Sequence, residues 1–284
     1  MIQEAVTEQY RARYKSFLES EKVGSLRTIF SIADKIIPAW SQATKSVFAY
    51  MRILDDIADE SPYALVAQEV ISRERRGILG FDKPTPLQEE LLEKPFSDLF
   101  GGDDQKPRIY LDKILSGVMT DLNIRFTQQP LTESQLKARN FRVTYHVFAV
   151  LFMGAASKDP KPTPATVEAF NDLATYDNIS DIFEDLPNGL VLLSKEDLEK
   201  HNLHFNDGGP LETERLLAFN VIKRKEVRGR LRHSSAELFR LGLPPWLSTL
   251  LYAYFYTRSL KLLIPLEKKQ DLIYRAPLDA HPIH

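Results

Sequence analysis

The chain of 284 residues contains no cysteine, no long apolar run and no marked excess of charge of either sign. Without cysteine there is no disulfide framework, no thiol nucleophile and no thiolate-bound metal, which fits a reducing compartment. The formal net charge of −2 provides no global basic field for nucleic acid. The longest apolar stretches, 147–156 and 250–256, are about half as long as a bilayer span. We therefore expect a cytoplasmic protein without a nucleic-acid partner, and peripheral contact with a membrane is the alternative left open.

Familiar catalytic strings are missing as well. No GxGxxG, GxxxxGK[ST], GxSxG or HExxH sequence occurs. The sequence therefore lacks the usual motifs of dinucleotide-binding folds, P-loops, serine hydrolases and zincins. We expect no nicotinamide cofactor. A basic run at 222–233 predicts either a solvated helix face or an attraction for anionic substrates and lipid headgroups.

Nearly the whole chain has the three-and-four spacing of apolar residues that predicts α-helix. The predicted helices are 41–60, 107–126, 133–156, 164–185, 210–242 and 244–263. Short connectors rich in Gly, Pro and Asp separate most of them. No alternating strand pattern persists, and no shift in composition marks a linker. The sequence predicts a single all-α domain over residues 1–284.

Two of these helices carry aspartates at four-residue intervals near their C-terminal ends. The first acidic row consists of Asp55 and Asp59, and the second acidic row consists of Asp177, Asp181 and Asp185. On an α-helix, residues four apart share one face and lie about 6 Å apart along the axis. Like charges at this spacing destabilise an isolated helix. Some interaction must therefore offset the repulsion within each row.

A divalent cation removes this repulsion. Magnesium prefers hard oxygen ligands, takes only one or two carboxylates per ion, and completes its coordination with water and phosphate oxygens. Two facing helices with such rows would hold several magnesium ions over a diphosphate. The alternative is a pair of solvated acidic faces, which accounts poorly for two rows in strongly apolar helices. Asp56 is either a further ligand or an acid outside the ligand set.

The same residues are similar to motifs of a known family. The stretch "RILDDIADE" resembles the first aspartate-rich motif of the squalene and phytoene synthases, and "DIFED" resembles their second. The stretches "FSIADKIIP", "SGVMTDL", "RVTYHV" and "GLVLLSKEDL" resemble other segments of that family, so the likeness extends from about residue 25 to residue 260. This resemblance implies an all-α isoprenoid-synthase fold with a central cavity and magnesium-dependent chemistry on prenyl diphosphates.

The resemblance also implies roles for individual residues. The implied catalytic metal ligands are Asp55, Asp59, Asp181 and Asp185. Asp177 stands where the family has an asparagine, and this departure adds a candidate metal ligand to the second row. Arg52 matches the arginine of the first motif and is expected to bind the diphosphate with its rigid fork of donors. From position alone, Arg27 is expected to bind phosphate and Tyr252 to line the cavity.

Departures from the family pattern lie around the second row and the cavity. Ser180 stands where the family has an arginine, which removes a diphosphate-binding charge. Tyr145 and Phe148 stand where the family has glycines that let prenyl chains approach the helix backbone. Each ring would fill part of the pocket. The alternative is a shifted alignment that puts both rings in the core.

These departures favour a magnesium-dependent prenyltransferase with one prenyl diphosphate donor and a non-prenyl, aromatic type of small-molecule acceptor. The first alternative is a head-to-head synthase that makes a phytoene-type or squalene-type product. The further alternatives are a class I terpene cyclase and a non-catalytic relative that serves in binding or assembly.

Overall fold

The computed structural model of the protein describes residues 34–35, 37–156, 159–186, 189–204 and 210–261. The long helices in these ranges are α1 (Pro38–Glu60), α2 (Ala64–Ile78), α4 (Gln105–Thr127), α5 (Glu133–Ala156), α6 (Pro164–Asp185), α8 (Pro210–Ser234) and α9 (Pro245–Lys261). Between them, α3 is built from Pro86–Gln88, the π-helical Glu89–Glu93 and Lys94–Phe100, and α7 is Lys195–His201. Within the described ranges, extended pairing is limited to one isolated bridge between Leu131 and Ser194.

The predicted all-α class is confirmed over these ranges, and six observed helices lie close to the predicted ones. The predicted helices do not include α2, α3 and α7. The predicted helix 210–242 is wrong at its end, because α8 tightens into a 3-10 helix at Ser235–Leu241. There the hydroxyls of Ser234 and Ser235 donate to backbone carbonyls of the preceding turn, and serines in this role loosen regular α-helical bonding. The single domain over 1–284 stays a prediction.

Local sequence fixes where α6 begins. Thr163 accepts a hydrogen bond from the backbone N–H of Thr166, and the Thr166 hydroxyl accepts one from the backbone of Thr163 in return. Pro164 follows as the first helical residue, where its missing N–H costs nothing. This capping box sets the register of the helix that carries the second acidic row.

Two large apolar clusters form most of the core. The first joins α1, α2, α3 and α4 around buried side chains that include Tyr50, Leu54, Ile71 and Leu115. The second joins α5, α6, α8 and α9 and includes Phe170, Val227, Leu251 and Phe255. Among the described residues, no helix is long and apolar enough to cross a membrane.

The helices α4 and α5 pack along each other, and they lie in close contact at Gly117. A Cβ atom on Gly117 would lie 2.4 Å from Cγ1 of Val143 on α5, so only glycine permits this separation. One turn from this contact on each helix lie Asp121 and Arg139. The Gly117 contact therefore sets the distance between two charged side chains beside the first acidic row.

Replacing Gly117 by alanine should lower the free energy of unfolding by about 1–3 kcal/mol, because the added methyl group overlaps Val143. The matched control is Gly229→Ala on α8, where a new Cβ atom meets nothing within 4 Å. That control should raise stability by up to about 1 kcal/mol through helix propensity. Urea unfolding of both variants measures the difference, and equal stabilities would contradict the close-contact explanation.

Candidate active site

Both acidic rows lie at the C-terminal ends of their helices. Asp55 and Asp59 occupy the last two turns of α1, and Asp185 is the last residue of α6. Neither helix has a basic residue in its last turn. Because the helix dipole places partial negative charge at this end, the backbone already disfavours carboxylates there. The same position favours cations.

The two rows share one region of the protein. Asp59 is half-buried. Burial, followed by the charges of Asp55, Asp121 and Asp185, raises the pKa of Asp59 well above its ordinary value, while Arg52 opposes the rise. Asp59 on α1 and Asp185 on α6 are therefore within electrostatic reach of each other. The arrangement concentrates negative charge from three helices.

Arg52 is paired with the first row. Its Nη1 lies 2.5 Å from Oδ2 of Asp55, and its Nη2 lies 2.9 Å from Oδ1 of Asp56. About one third of the side-chain surface of both Arg52 and Asp55 remains exposed, at 34% and 31%. Both groups can therefore reach an incoming ligand. Contact of Arg52 with a diphosphate stays a prediction.

A buried ion pair lies next to the first row. Nε of Arg139 on α5 donates to Oδ1 of Asp121 on α4 at 2.7 Å, and its Nη2 donates to Oδ2 of the same carboxylate. Nη1 of Arg139 donates to the side-chain oxygens of Asn140 at 3.2 Å and Asn178 at 3.4 Å. Asn178 lies on α6 among the aspartates of the second row. This network therefore links α4, α5 and α6 at the level of the acids.

The charge of Arg139 also acts on the first row. Burial lowers the pKa of Arg139, but the carboxylates of Asp121, Asp55 and Asp59 together raise it above its ordinary value. A buried guanidinium of this kind is stable only with such partners. The positive charge of Arg139 offsets part of the repulsion between these three carboxylates. Arg125 of α4 contributes nearby, since its Nη1 donates to the carbonyl of Ala58 at 2.8 Å, near the end of α1.

The aspartates of the second acidic row differ in exposure and in their neighbours. Asp181 is exposed and Asp185 is half-buried. Oδ1 of Asp177 lies 3.6 Å from Nη1 of Arg258 on α9. The second row therefore begins next to a cation and ends next to the first row.

The donor atoms of the two rows fit magnesium, because they are carboxylate oxygens. Over the described ranges, no three His, Cys, Asp or Glu side chains lie close enough to surround one ion. Magnesium usually takes one or two carboxylates and fills its other positions with water or phosphate oxygens. The rows thus fit ions that are shared between the protein and a diphosphate. The magnesium ligand roles of Asp55, Asp59, Asp177, Asp181 and Asp185 stay predictions.

The rings of Tyr145 and Phe148 lie in the aromatic core. Tyr145 is buried, its ring stacks on that of Phe141 at 4.6 Å, and its hydroxyl donates to the carbonyl of Pro160. Phe148 is half-buried, with its ring centroid 5.6 Å from that of Phe170 on α6. This is the location expected from the alternative of a shifted alignment. A pocket role for these two rings stays a prediction.

Two other predicted site residues are also untested. The ring of Tyr252 lies 5.6 Å from that of Phe239 and 6.1 Å from that of Tyr256, and it is partly exposed. Arg27 lies outside the described residues. A cavity of about 300 Å³ lies beside the beginning of α6, between 159–161 and 240–243, far from the acidic rows. The central cavity implied by the resemblance stays a prediction.

Three charged residues of this region were not predicted as site residues: Asp121, Arg139 and Arg258. Asp121 carries a sequence signal, since it lies on the apolar stripe of its helix together with Leu111, Leu115 and Val118. Charged side chains on a buried stripe need a partner. Which residue pairs with Asp121 depends on how the helices pack against each other. The periodicity of one helix gives no information about that packing.

Comparison with known proteins supports the fold. No family model matches the sequence, and no curated protein sequence matches it. A crystal structure of a dehydrosqualene synthase in complex with ligand matches with a TM-score of 0.65 and 18% identity, over 93% of this chain and 89% of that chain. The squalene synthase HpnC from Alicyclobacillus acidocaldarius matches with a TM-score of 0.58 and 17% identity, over 96% of this chain and 95% of that one. The chain therefore has the all-α fold of squalene-type synthases, as the resemblance implied.

Asp59→Asn should stabilise the metal-free protein at neutral pH, because burial and the neighbouring acids that raise the pKa of Asp59 disfavour its carboxylate and the amide carries no charge. Unfolded Asp59 loses its proton at about pH 4, whereas the folded residue keeps it to higher pH. Stability of the wild type should therefore fall as pH rises through this window, and the variant should lack that fall. Urea unfolding from pH 4 to 8 with chelator tests this, with the exposed Asp98→Asn as control.

Arg139→Met should lower the free energy of unfolding by about 3–5 kcal/mol, because it leaves the buried Asp121 carboxylate without its partner. The control is Lys137→Met on the same helix, which removes an exposed pair with Glu133 at 3.0 Å and should cost less than about 1 kcal/mol. Chemical denaturation of both variants gives the comparison. Similar small losses would mean that the Asp121–Arg139 pair does not hold α4 and α5 together.

Proposed function

We propose that the protein is a magnesium-dependent enzyme that couples two prenyl diphosphates head to head. The observation that carries the proposal is the electrostatic proximity of Asp59 and Asp185, at the C-terminal ends of separate helices. Negative charge gathered in this way requires cations, and magnesium in turn completes its coordination with phosphate oxygens. The two structural neighbours, named as a dehydrosqualene synthase and a squalene synthase, support this class of chemistry.

The reaction requires no protein nucleophile. Asp55 and Asp59 of α1 would face Asp181 and Asp185 of α6 across the bound diphosphate, with Arg52 at its edge. Bound magnesium supplies positive charge that makes the diphosphate a better leaving group. The allylic C–O bond breaks, both electrons leave with the diphosphate oxygen, and the double bond of the second prenyl chain captures the allylic cation. The cation formed on the second chain loses a proton, which the departed diphosphate can accept. Departure of the second diphosphate and loss of one further proton then give the hydrocarbon. The helices must exclude water so that it does not capture the cation first.

Transfer to a non-prenyl acceptor is the second candidate. It is favoured by Ser180, which leaves α6 without a cation where the resemblance expects an arginine. The names of the structural neighbours accord better with the head-to-head reaction. Cyclisation of a single diphosphate ranks behind both candidates. A non-catalytic relative ranks last, since such a protein would have little reason to keep carboxylates that repel one another.

Other expectations about partners and location stay predictions: a cytoplasmic location, peripheral contact with a membrane, and the absence of a nicotinamide cofactor. The first of these agrees with the lack of cysteine. Membrane contact has one structural feature in its favour. Phe239 and Trp246 are exposed to 50% and 44% and follow the basic helix α8 in the chain.

Purified protein given magnesium and farnesyl or geranylgeranyl diphosphate alone should release pyrophosphate and form a coupled hydrocarbon, measured by gas chromatography with mass spectrometry. Asp181→Asn should reduce turnover by about 100-fold or more, as loss of one preorganised electrostatic contact does. The control Asp98→Asn should leave turnover unchanged.

The products separate the candidate reactions. A prenylated product that forms only when an aromatic acceptor is added would favour the second candidate. A cyclic terpene from one diphosphate would favour cyclisation. Failure to release pyrophosphate from any of these substrates would contradict the proposed function as a whole.

A further inference from the structure

Arg258 of α9 lies beside the start of the second acidic row. Its Nη1 is 3.6 Å from Oδ1 of Asp177, and its Nη2 donates to the hydroxyl of Tyr254 at 2.9 Å. The guanidinium carbon lies 5.4 Å from the ring centroid of Tyr176 and 5.1 Å from that of Tyr254. Two phenol rings therefore hold this cation next to the row, and such contacts orient a guanidinium without neutralising it.

The hydrogen-bond donors of Arg258 are not all used. A separation of 3.6 Å is an ion pair and is too long for a hydrogen bond, so the contact with Asp177 leaves donor capacity on Nη1. The Nε atom is buried and has no hydrogen-bond partner among the described residues. A buried N–H without an acceptor costs free energy, and a ligand with several oxygens would satisfy it.

A second guanidinium converges on the same region. Arg224 of α8 is buried, and its charge interacts with the phenol of Tyr176. Burial lowers the pKa of Arg224. Two guanidinium groups from different helices therefore interact with one tyrosine, Arg258 over its ring and Arg224 through its charge. Buried charges of one sign are costly, and an anion bound in the same region would lower that cost.

We propose that Arg258, with Arg224 beside it, binds a phosphate group of the substrate at the start of the second acidic row. This inference rests on the proposed function and adds a binding residue to it. Ser180, where the family resemblance expects an arginine, lies one turn after Tyr176 on α6. Arg258 brings the corresponding positive charge from α9. The bidentate fork of arginine suits phosphate oxygens.

Binding of magnesium and inorganic pyrophosphate to the full chain tests the proposal by isothermal titration calorimetry. Arg258→Gln should weaken pyrophosphate binding about 10- to 100-fold, the usual effect of losing charged hydrogen bonds. Arg258→Lys keeps the charge but loses the fork, so its affinity should lie between those of the wild type and the glutamine variant.

The matched control is Arg232→Gln. The guanidinium carbon of Arg232 also lies over a tyrosine ring of α9, 5.9 Å from the centroid of Tyr256. The control removes the same charge and the same type of ring contact without touching Asp177, so pyrophosphate affinity should stay unchanged. Thermal unfolding without ligand monitors the fold of each variant. If the glutamine variant does not fold, unchanged affinity in the lysine variant overturns the proposal.

A double variant separates direct binding from an effect through Asp177. In an Asp177→Asn background, Arg258→Gln should still weaken pyrophosphate binding, because the phosphate contact remains to be lost. If the loss disappears in that background, Arg258 acts only by holding Asp177 and the proposal is overturned. Wild-type protein that binds no magnesium pyrophosphate overturns the proposed function and this inference with it. Wild-type binding that Arg258→Gln leaves unchanged overturns only the role of Arg258.

Discussion

Repulsion between carboxylates at the C-terminal ends of α1 and α6 is the constraint on which the rest of the structure depends. Burial and three neighbouring acids disfavour the charge of Asp59, and the helix dipole adds to the unfavourable field. A chain selected for stability alone would place neutral side chains there. Carboxylates at this end of the bundle are what the proposed binding of cations would require.

The surrounding structure holds these acids in place. The Gly117 contact brings α4 and α5 together, and Asp121 and Arg139 pair one turn away. Arg139 reaches Asn178 on α6, so the same side chain that offsets the charge of the first row also contacts the helix of the second. Stability and site geometry therefore depend on the same few residues, which is typical of sites built on rigid elements.

Six helices and the two acidic rows could be predicted from the sequence, because each is a periodic pattern within a single segment of the chain. The all-α class and the bounds of α5 and α6 followed from that periodicity. The pairing of Asp121 with Arg139 did not, because it depends on the separation of two helices that a single glycine sets. The position of Arg258 depends on how α9 packs on α6. The stacking of Tyr145 on Phe141 also depends on packing between side chains, and the pocket role that its alignment with a glycine of the family implies stays a prediction.

The electrostatic repulsion on the half-buried Asp59 carboxylate has a consequence for how fast the protein is degraded in the cell. If magnesium and substrate relieve that repulsion, the loaded state is favoured over the unfolded state by mass action, in proportion to ligand concentration. Proteases that degrade transiently open molecules would then remove the empty form faster than the occupied form. The steady-state amount of the protein would follow the supply of its substrate without any separate regulatory element.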